Sequence, residues 1–230
     1  MNDLFVNSAT IGVVISLLAY QMGMYLKSKT KLAICNPFMI SIILVIAFLL
    51  VFDIDYDSYN QSAKYLSYLL TPTTVSLAIP LYEKLELLKK HFGAIMVGIL
   101  SGVLTSLVSI FAMSYLFQLS YSEYVTLLPK SITTAIGIGV SEELGGYVSI
   151  TATSIMITGI LGNIIGEFIC KCFRIRHAIS RGLALGTSSH AIGTSKAMEL
   201  GEVEGAMSSL SIVVAGLMTV VLASIFAMLY

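Results

Sequence analysis

The chain has 230 residues, of which 57% are hydrophobic and only 11% are charged, and its mean hydropathy is +0.90. A soluble globular domain carries about 25% charged residues. This chain therefore has too few charges to cover a water-facing surface, and its composition predicts an integral membrane protein. The 13 Lys and Arg residues balance 13 Asp and Glu residues, which argues against nucleic-acid binding because that function needs a basic excess.

Long apolar segments predict the membrane spans, since about 20 apolar residues are needed to cross about 30 Å of hydrocarbon. Four segments reach this length, at residues 5–25, 93–117, 147–170 and 206–230. A fifth segment, 38–52, is shorter but almost purely aliphatic and aromatic. Asn36-Pro37 sets its start, because proline is tolerated in the first helical turn. We predict that this segment is a short span.

Three further apolar stretches, 66–82, 124–146 and 182–201, are interrupted by proline, glycine and polar residues. Backbone that breaks at membrane depth is tolerated only where protein or a water-lined cavity satisfies its free N–H and C=O groups. The predicted helix breaks are Pro72 in the first stretch, Pro129, Gly145 and Gly146 in the second, and Gly186 and Gly193 in the third.

Basic residues predict the orientation, because short cytoplasmic loops are enriched in Lys and Arg. Most of them fall in three connections: Lys27, Lys29 and Lys31; Lys84, Lys89 and Lys90; and Lys171, Arg174, Arg176 and Arg181. If these loops are cytoplasmic, the N-terminus lies outside and 66–82 is a full, proline-kinked crossing. Stretch 124–146 then enters and leaves from outside as a re-entrant hairpin. Stretch 182–201 starts inside and is either a matching hairpin or one broken crossing.

The predicted fold is an all-α, multi-pass membrane protein formed by one domain over residues 1–230. It has about six full spans and one or two re-entrant or broken-helix hairpins. Two hairpins that enter from opposite faces would meet near the midplane of the bilayer. This arrangement is typical of inverted-repeat transporters, so a fold of that kind is one expectation from the sequence.

Two lysines, Lys130 and Lys196, lie inside the interrupted stretches, where a cation usually faces a cavity or a partner. Hydroxyl side chains surround them, and helix starts at such breaks offer free N–H groups to anions. The candidate ligand-binding residues are Lys130, Ser131, Thr133, Thr134, Ser189, His190, Thr194 and Lys196. They predict a site for a small anion, most simply a carboxylate. The alternative is that both lysines extend to the interface and the hydroxyl groups serve only helix packing.

His190 has two readings: it titrates near neutral pH during function, or it is a hydrogen-bonded structural residue. It has no neighbouring His or Cys at ligand spacing, and Cys35, Cys170 and Cys172 form no CxxC pair, so no metal site is predicted. No P-loop, dinucleotide fingerprint or nucleophile motif is present. We therefore expect neither a cofactor nor catalytic residues.

Several motifs together resemble the LrgB/CidB family of bacterial antiholin-like membrane proteins, and the resemblance covers nearly the whole chain. The motifs are Asn36-Pro37, Pro72 with Ala78-Ile-Pro-Leu-Tyr82, Leu128-Pro-Lys-Ser-Ile-Thr-Thr134, Gly145-Gly146, Arg181-Gly-Leu-Ala-Leu-Gly186 and Ser189-His-Ala-Ile-Gly-Thr194. The last two are the most specific in order and spacing.

This resemblance implies two functions in the bacterial cytoplasmic membrane. One is transport of short carboxylates similar to pyruvate, glycolate or lactate, as in a related plastidial glycolate/glycerate transporter. The other is antiholin-like modulation of murein hydrolase activity, autolysis and programmed cell death. In both cases it implies a small holin-like membrane partner similar to LrgA or CidA. The residues favour transport, because a pore modulator needs no lysine and hydroxyl cluster at broken helices.

Two GxxxG pairs, Gly98–Gly102 and Gly162–Gly166, permit close helix packing. Such packing can occur within the chain or between copies in a homo-oligomer. Packing within the chain is the expectation we favour.

Overall fold

A computed structural model describes residues 8, 10–30 and 36–230 of the chain. The regular elements of these residues are all helices, which confirms the predicted all-α class. The start of the predicted first span (residues 5–7), Lys31 and Cys35 lie outside the described residues. The chain divides into two compact units, Met1–Ser76 and Leu77–Tyr230.

The first unit contains α1 (Ile11–Thr30), α2 (Pro37–Val51), α3 (Tyr56–Ala63), a 3-10 helix (Lys64–Leu69) and α4 (Leu70–Ser76). Asn36 caps α2, since its side chain accepts hydrogen bonds from the N–H groups of Phe38 and Met39 at 2.8 and 3.3 Å. The predicted helix start at Asn36-Pro37 is therefore confirmed. Helix α1 approaches its neighbours closely: the Gly12 N–H donates to Ser62 Oγ at 3.0 Å.

The second unit contains α5 (Ala78–Glu83), α6 (Leu85–Lys90), α7 (Phe92–Leu116), α8 (Tyr121–Leu127), α9 (Thr134–Glu143), α10 (Val148–Cys172), α11 (Ala178–Leu200) and α12 (Glu202–Ala227). Across both units, four described helices are long and apolar enough to cross a membrane, namely α1, α7, α10 and α12. Helix α2 is apolar but has only 15 residues. A membrane protein is therefore supported, and the count of six spans stays a prediction.

The predicted crossing at 66–82 consists of short helical pieces: the end of the 3-10 helix, then α4 and α5. Pro72 is the third residue of α4 and not a break within a helix. Proline is tolerated there because the first four N–H groups of a helix have no intrahelical partner.

Helices α8 and α9 form a hairpin, called hairpin A, whose tip is residues 128–133. Thr126 at the end of the first arm accepts a hydrogen bond from the Tyr147 N–H at 2.7 Å. A Cβ on Gly137 would lie 3.4 Å from the Pro129 carbonyl oxygen. These contacts require the chain to reverse direction. Pro129 lies at the reversal, as predicted.

The second predicted break in this stretch, Gly145-Gly146, ends hairpin A. Gly145 has φ +81°, a left-handed conformation that glycine adopts without a steric penalty. The Gly146 N–H then donates to the Ser141 carbonyl at 2.7 Å. This is the helix C-terminal arrangement in which orphan carbonyls are satisfied. Both glycines therefore lie at the break that the sequence indicates.

The segment assigned to α11 consists of two helical arms, 178–188 and 191–200, which form a second hairpin, called hairpin B. Ser189 and His190 leave helical geometry, with φ/ψ of −137°/17° and 41°/−135°. A Cβ on Gly193 would lie 2.5 Å from the Leu185 carbonyl oxygen, whereas eight residues of straight helix would separate them by about 12 Å. The chain therefore folds back at Ser189-His190.

Gly186 and Gly193, which the sequence predicts as breaks, lie inside the two arms of hairpin B. The absence of a side chain at these positions allows close packing. For example, a Cβ added to Gly186 would lie only 2.5 Å from the Ser208 carbonyl oxygen of α12. The prediction was wrong for these two positions, because the glycines admit neighbouring backbone and do not interrupt the helix.

Both GxxxG pairs pack within the chain, against hairpin B. A Cβ on Gly98 would meet Leu183, and one on Gly102 would meet Thr187. On α10, Gly162 and Gly166 face Ser189 and Leu185 in the same way. The expectation of packing within the chain is confirmed, since small residues let helices approach closely.

The core of the second unit is a stripe on α7. Ile95, Ile99, Val103, Leu107 and Ile110 are buried at the helical spacing of three to four residues. They belong to one cluster with buried residues of hairpin A and α12. The buried face of α12 consists largely of small residues: Gly205, Ala206, Ser208, Ser209, Ser211, Ala215, Gly216, Ala223 and Ala227.

We expect Gly186→Ala to destabilise the protein by about 1–3 kcal/mol, because the new methyl group overlaps the α12 backbone at Ser208. Gly139→Ala is the matched control. It lies inside α9, and the methyl group it adds would have nothing within 4 Å, so it should be stabilising by about 0.5–1 kcal/mol. Thermal unfolding of the detergent-solubilised chain measures both. Equal shifts for the two variants would contradict the close contact of hairpin B with α12.

Candidate functional site

The tips of the two hairpins reach the same level of α7 from opposite ends. Along α7, Gly98 faces Leu183 and Gly102 faces Thr187 of hairpin B. One helical turn further, Ser106 Oγ lies 3.1 Å from Ser131 Oγ at the tip of hairpin A. The central residue of α7 is Leu104, so the two tips meet near the middle of the helix.

Helix α10 shows the same meeting point at Ile155. The Ile155 carbonyl lies 3.0 Å from His190 Nε2 at the tip of hairpin B. From the other side, a Cβ on Gly137 of hairpin A would lie 2.5 Å from Ile155 Cδ1. Two independent helices therefore place both tips at one level of the second unit.

Lys130 lies at the tip of hairpin A, and its amine is 3.3 Å from Ser131 Oγ. The side chain is partly buried. Within the described part of the chain, no carboxylate lies at ion-pair distance from Lys130. Thr133 and Thr134 come after Ser131 and Ile132, and they are the N-cap and the first residue of α9. Lys130 thus lies in the turn that leads into the N-terminus of α9.

The predicted residues of hairpin B lie at its tip and in its second arm. Ser189 Oγ lies 3.0 Å from Ser188 Oγ. Thr194 Oγ1 donates to the His190 carbonyl at 2.9 Å and lies 2.7 Å from Ser208 Oγ of α12. Thr194 therefore has a structural role: it closes the first turn of the second arm and ties that arm to α12.

His190 is buried and has a left-handed φ of 41°. A non-glycine residue rarely adopts this conformation, which costs on the order of 1–3 kcal/mol unless the surroundings enforce it. The hydrogen bond to Ile155 and the packing against Gly159 hold the ring in place. The geometry fits the hydrogen-bonded structural reading of His190.

Lys196 lies away from the tips, in the second arm of hairpin B, and is neutralised there. Its amine is 3.1 Å from Glu167 and 3.2 Å from Glu199. Glu167 also pairs with Lys171 at 2.8 Å. Of the two predicted site lysines, Lys130 is therefore the one without a carboxylate at ion-pair distance among the described residues.

Two residues that the sequence analysis missed join the site, Ser106 and Thr187. Thr187 is buried, and among the described residues its hydroxyl is one of the few buried polar groups without a hydrogen-bond partner. Its position after Gly186, in a run of hydroxyl residues, was a signal for it. Ser106 had no such signal, because a serine in an apolar helix is usually a packing residue.

The meeting point of the tips offers one cation, several hydroxyl groups and the N-termini of two helical arms. Partial positive charge at helix N-termini favours anions. Among the described residues, no group of three or more His, Cys, Asp and Glu side chains could hold a metal ion. The chemistry of this arrangement suits a small anion.

The family profile and the similar proteins that match the chain both name the same family. A profile described as the LrgB-like family matches residues 16–229. The chain is 36% identical over 216 residues to proteins named "Antiholin-like protein LrgB" from Bacillus cereus (strain B4264) and Bacillus anthracis (strain A0248), with 94% of each chain covered. No solved structure matches.

We expect cysteines placed at Ser106 and Ser131 to form a disulfide in a variant without the three native cysteines. Their hydroxyl oxygens are 3.1 Å apart, and a disulfide forms only when the two Cα atoms lie within about 7 Å. The measurement is a reductant-sensitive change in gel mobility after mild oxidation. Ser101→Cys combined with Ser131→Cys is the control, since Ser101 is exposed on α7. Equal cross-linking of both pairs would show that the tip of hairpin A does not lie next to Ser106.

Proposed function

The chain belongs to the LrgB-like family, and on that premise we propose that it acts as an antiholin-like protein of the bacterial cytoplasmic membrane. In this role it modulates murein hydrolase activity and autolysis together with a small holin-like membrane protein of the LrgA/CidA type. The observation that carries the proposal is the likeness to proteins named antiholin-like over 94% of both chains. Four apolar helices of spanning length support the membrane location.

We expect the chain to co-purify in mild detergent with a small holin-like membrane protein encoded in the same bacterium. Its expression should also slow detergent-induced autolysis in cells that lack their own LrgB-like proteins. The readouts are the amount of co-purified partner and the rate of loss of culture turbidity. A control variant, Gly186→Leu, should lose the effect because the larger side chain cannot fit against α12. Autolysis at the same rate with and without the chain, at matched membrane abundance, would refute the proposal.

A second candidate function, carriage of a short carboxylate, is favoured by the two hairpin tips. Transporters with inverted repeats bind substrate near the bilayer midplane, between broken helices whose N-termini face the anionic group. In this proposal the hairpins enter the membrane from opposite sides. Lys130 supplies the charge for a carboxylate similar to pyruvate, glycolate or lactate, and Ser131, Thr133 and Thr134 donate hydrogen bonds. Six full spans and a multi-pass topology belong to the same proposal.

We expect Lys130→Ala to weaken carboxylate binding by about 1.5–3 kcal/mol, tenfold or more. The reason is that charge-assisted hydrogen bonds are roughly twice as strong as neutral ones. Lys130→Arg should recover part of the loss, since a planar fork does not replace a compact ammonium. Uptake of labelled pyruvate, glycolate and lactate into liposomes gives the rates.

Lys64→Ala is the matched control for Lys130→Ala, because Lys64 is an exposed lysine near the Tyr65 ring. It should leave uptake nearly unchanged. If the Lys130→Ala variant transports like the wild type, the lysine only extends to the membrane interface and does not bind the substrate.

The two candidate functions can be separated in one pair of assays. Carriage by the isolated chain predicts uptake in liposomes without any partner. A purely regulatory role predicts no uptake and an effect on autolysis that requires the holin-like protein. If Lys130→Ala abolishes both uptake and the autolysis effect, the regulatory phenotype depends on carboxylate flux.

A further inference from the structure

A basic pocket lies where α10 ends and hairpin B begins. Its volume is about 270 Å³, and it is lined by Cys170, Lys171, Arg174, Ile175, Arg176 and Arg181. Four of these six residues carry a positive charge. The pocket is separate from the site at the hairpin tips, because α10 contacts those tips near its middle and the pocket lies at its C-terminal end.

The end of α10 holds the pocket residues in a defined turn. The Arg174 N–H donates to the Lys171 carbonyl at 3.1 Å, and the Ile175 N–H donates to the Cys170 carbonyl at 2.8 Å. Arg174 adopts a left-handed φ of 55° within this turn. The hydrogen bonds close the C-terminus of the helix, so the two arginines that follow it project from a closed turn.

Two of the four cations already have carboxylate partners. Lys171 pairs with Glu167 at 2.8 Å, and Arg181 pairs through one terminal nitrogen with the buried Glu204 of α12. Arg174 and Arg176 have no carboxylate at ion-pair distance in the described part of the chain. The Arg181 Nε is buried and lacks a hydrogen-bond partner among the described residues. The pocket therefore keeps an excess of two positive charges.

Guanidinium groups present paired donors that match the oxygens of a phosphate group, and they bind it in a bidentate manner. Basic pockets beside membrane-spanning helices bind anionic lipid headgroups on the cytoplasmic side. We infer that this pocket binds a phosphate group through Arg174 and Arg176, with Arg181 adding positive charge to its wall. The phosphate belongs either to an anionic lipid headgroup or to phosphate in solution. This site goes beyond the proposed function and does not depend on it.

The test uses the full chain in nanodiscs of phosphatidylcholine, with and without phosphatidylglycerol. Native mass spectrometry measures how much phosphatidylglycerol stays bound to the protein after the protein is released from the nanodisc. A second arm adds inorganic phosphate to the phosphatidylcholine discs and measures the shift in thermal unfolding temperature. Retained phosphatidylglycerol identifies a lipid headgroup as the source, and a shift with inorganic phosphate alone identifies phosphate in solution.

The variant Arg174→Gln/Arg176→Gln should bind the phosphate group about tenfold more weakly, since it loses charge-assisted hydrogen bonds. Lys89→Gln/Lys90→Gln is the matched control, because it removes two exposed charges outside the pocket. It should bind like the wild type. Arg174→Lys/Arg176→Lys keeps the charge without the planar fork and should recover only part of the binding.

Unchanged unfolding temperatures in plain phosphatidylcholine show that the variants are folded. If the glutamine variant fails this check, the lysine variant provides the comparison. Two results would overturn the inference. One is that the wild type binds neither phosphatidylglycerol nor inorganic phosphate. The other is that the pocket variant and the control variant lose the same amount of binding.

Discussion

At the two hairpin tips the backbone leaves helical geometry, and its polar groups need partners because an unpaired buried backbone group is costly. At hairpin A, the Thr151 hydroxyl of α10 lies 2.9 Å from the Thr126 carbonyl and 2.6 Å from Ser141 Oγ. At hairpin B, Asn163 of α10 donates to the Ile192 carbonyl at 2.8 Å, and His190 bonds to Ile155. Polar side chains of α10 thus support both reversals, which explains why this apolar helix contains Thr151 and Asn163.

Close packing and charge pairing hold hairpin B in place. The glycines of α7 and α10 leave room for its side chains, and Gly186 admits the backbone of α12. At the base, Arg181 pairs with Glu204, whose side chain is only 5% exposed. Removing one partner of such a pair leaves a buried charge uncompensated, which is costly. Lys196 is likewise fixed to Glu167 of α10. These contacts fix both arms of hairpin B to α10 and α12.

The distribution of positive charge separates two regions of the second unit. Lys130 lies at the tip level, whereas Arg174, Arg176 and Arg181 lie where α10 ends. An anion at the first region would interact with the hairpins, while a phosphate group at the second would bind beside the base of hairpin B. The proposed carboxylate carrier requires the tip region to exchange a ligand across the membrane, whereas the proposed antiholin-like role does not.

Local chemistry in the sequence determined the apolar class of the protein, the helix start at Asn36-Pro37 and the breaks at Pro129 and Gly145-Gly146. Proline and glycine decide these points because each limits or frees the backbone at its own position. Only the tertiary structure decided the reversal at Ser189-His190, since Gly186 and Gly193 were the stronger local signals. It also decided that Lys196 is neutralised and that Ser106 and Thr187 join the site. Those outcomes depend on side chains far apart in the chain, and local sequence rules carry no information about which of them meet.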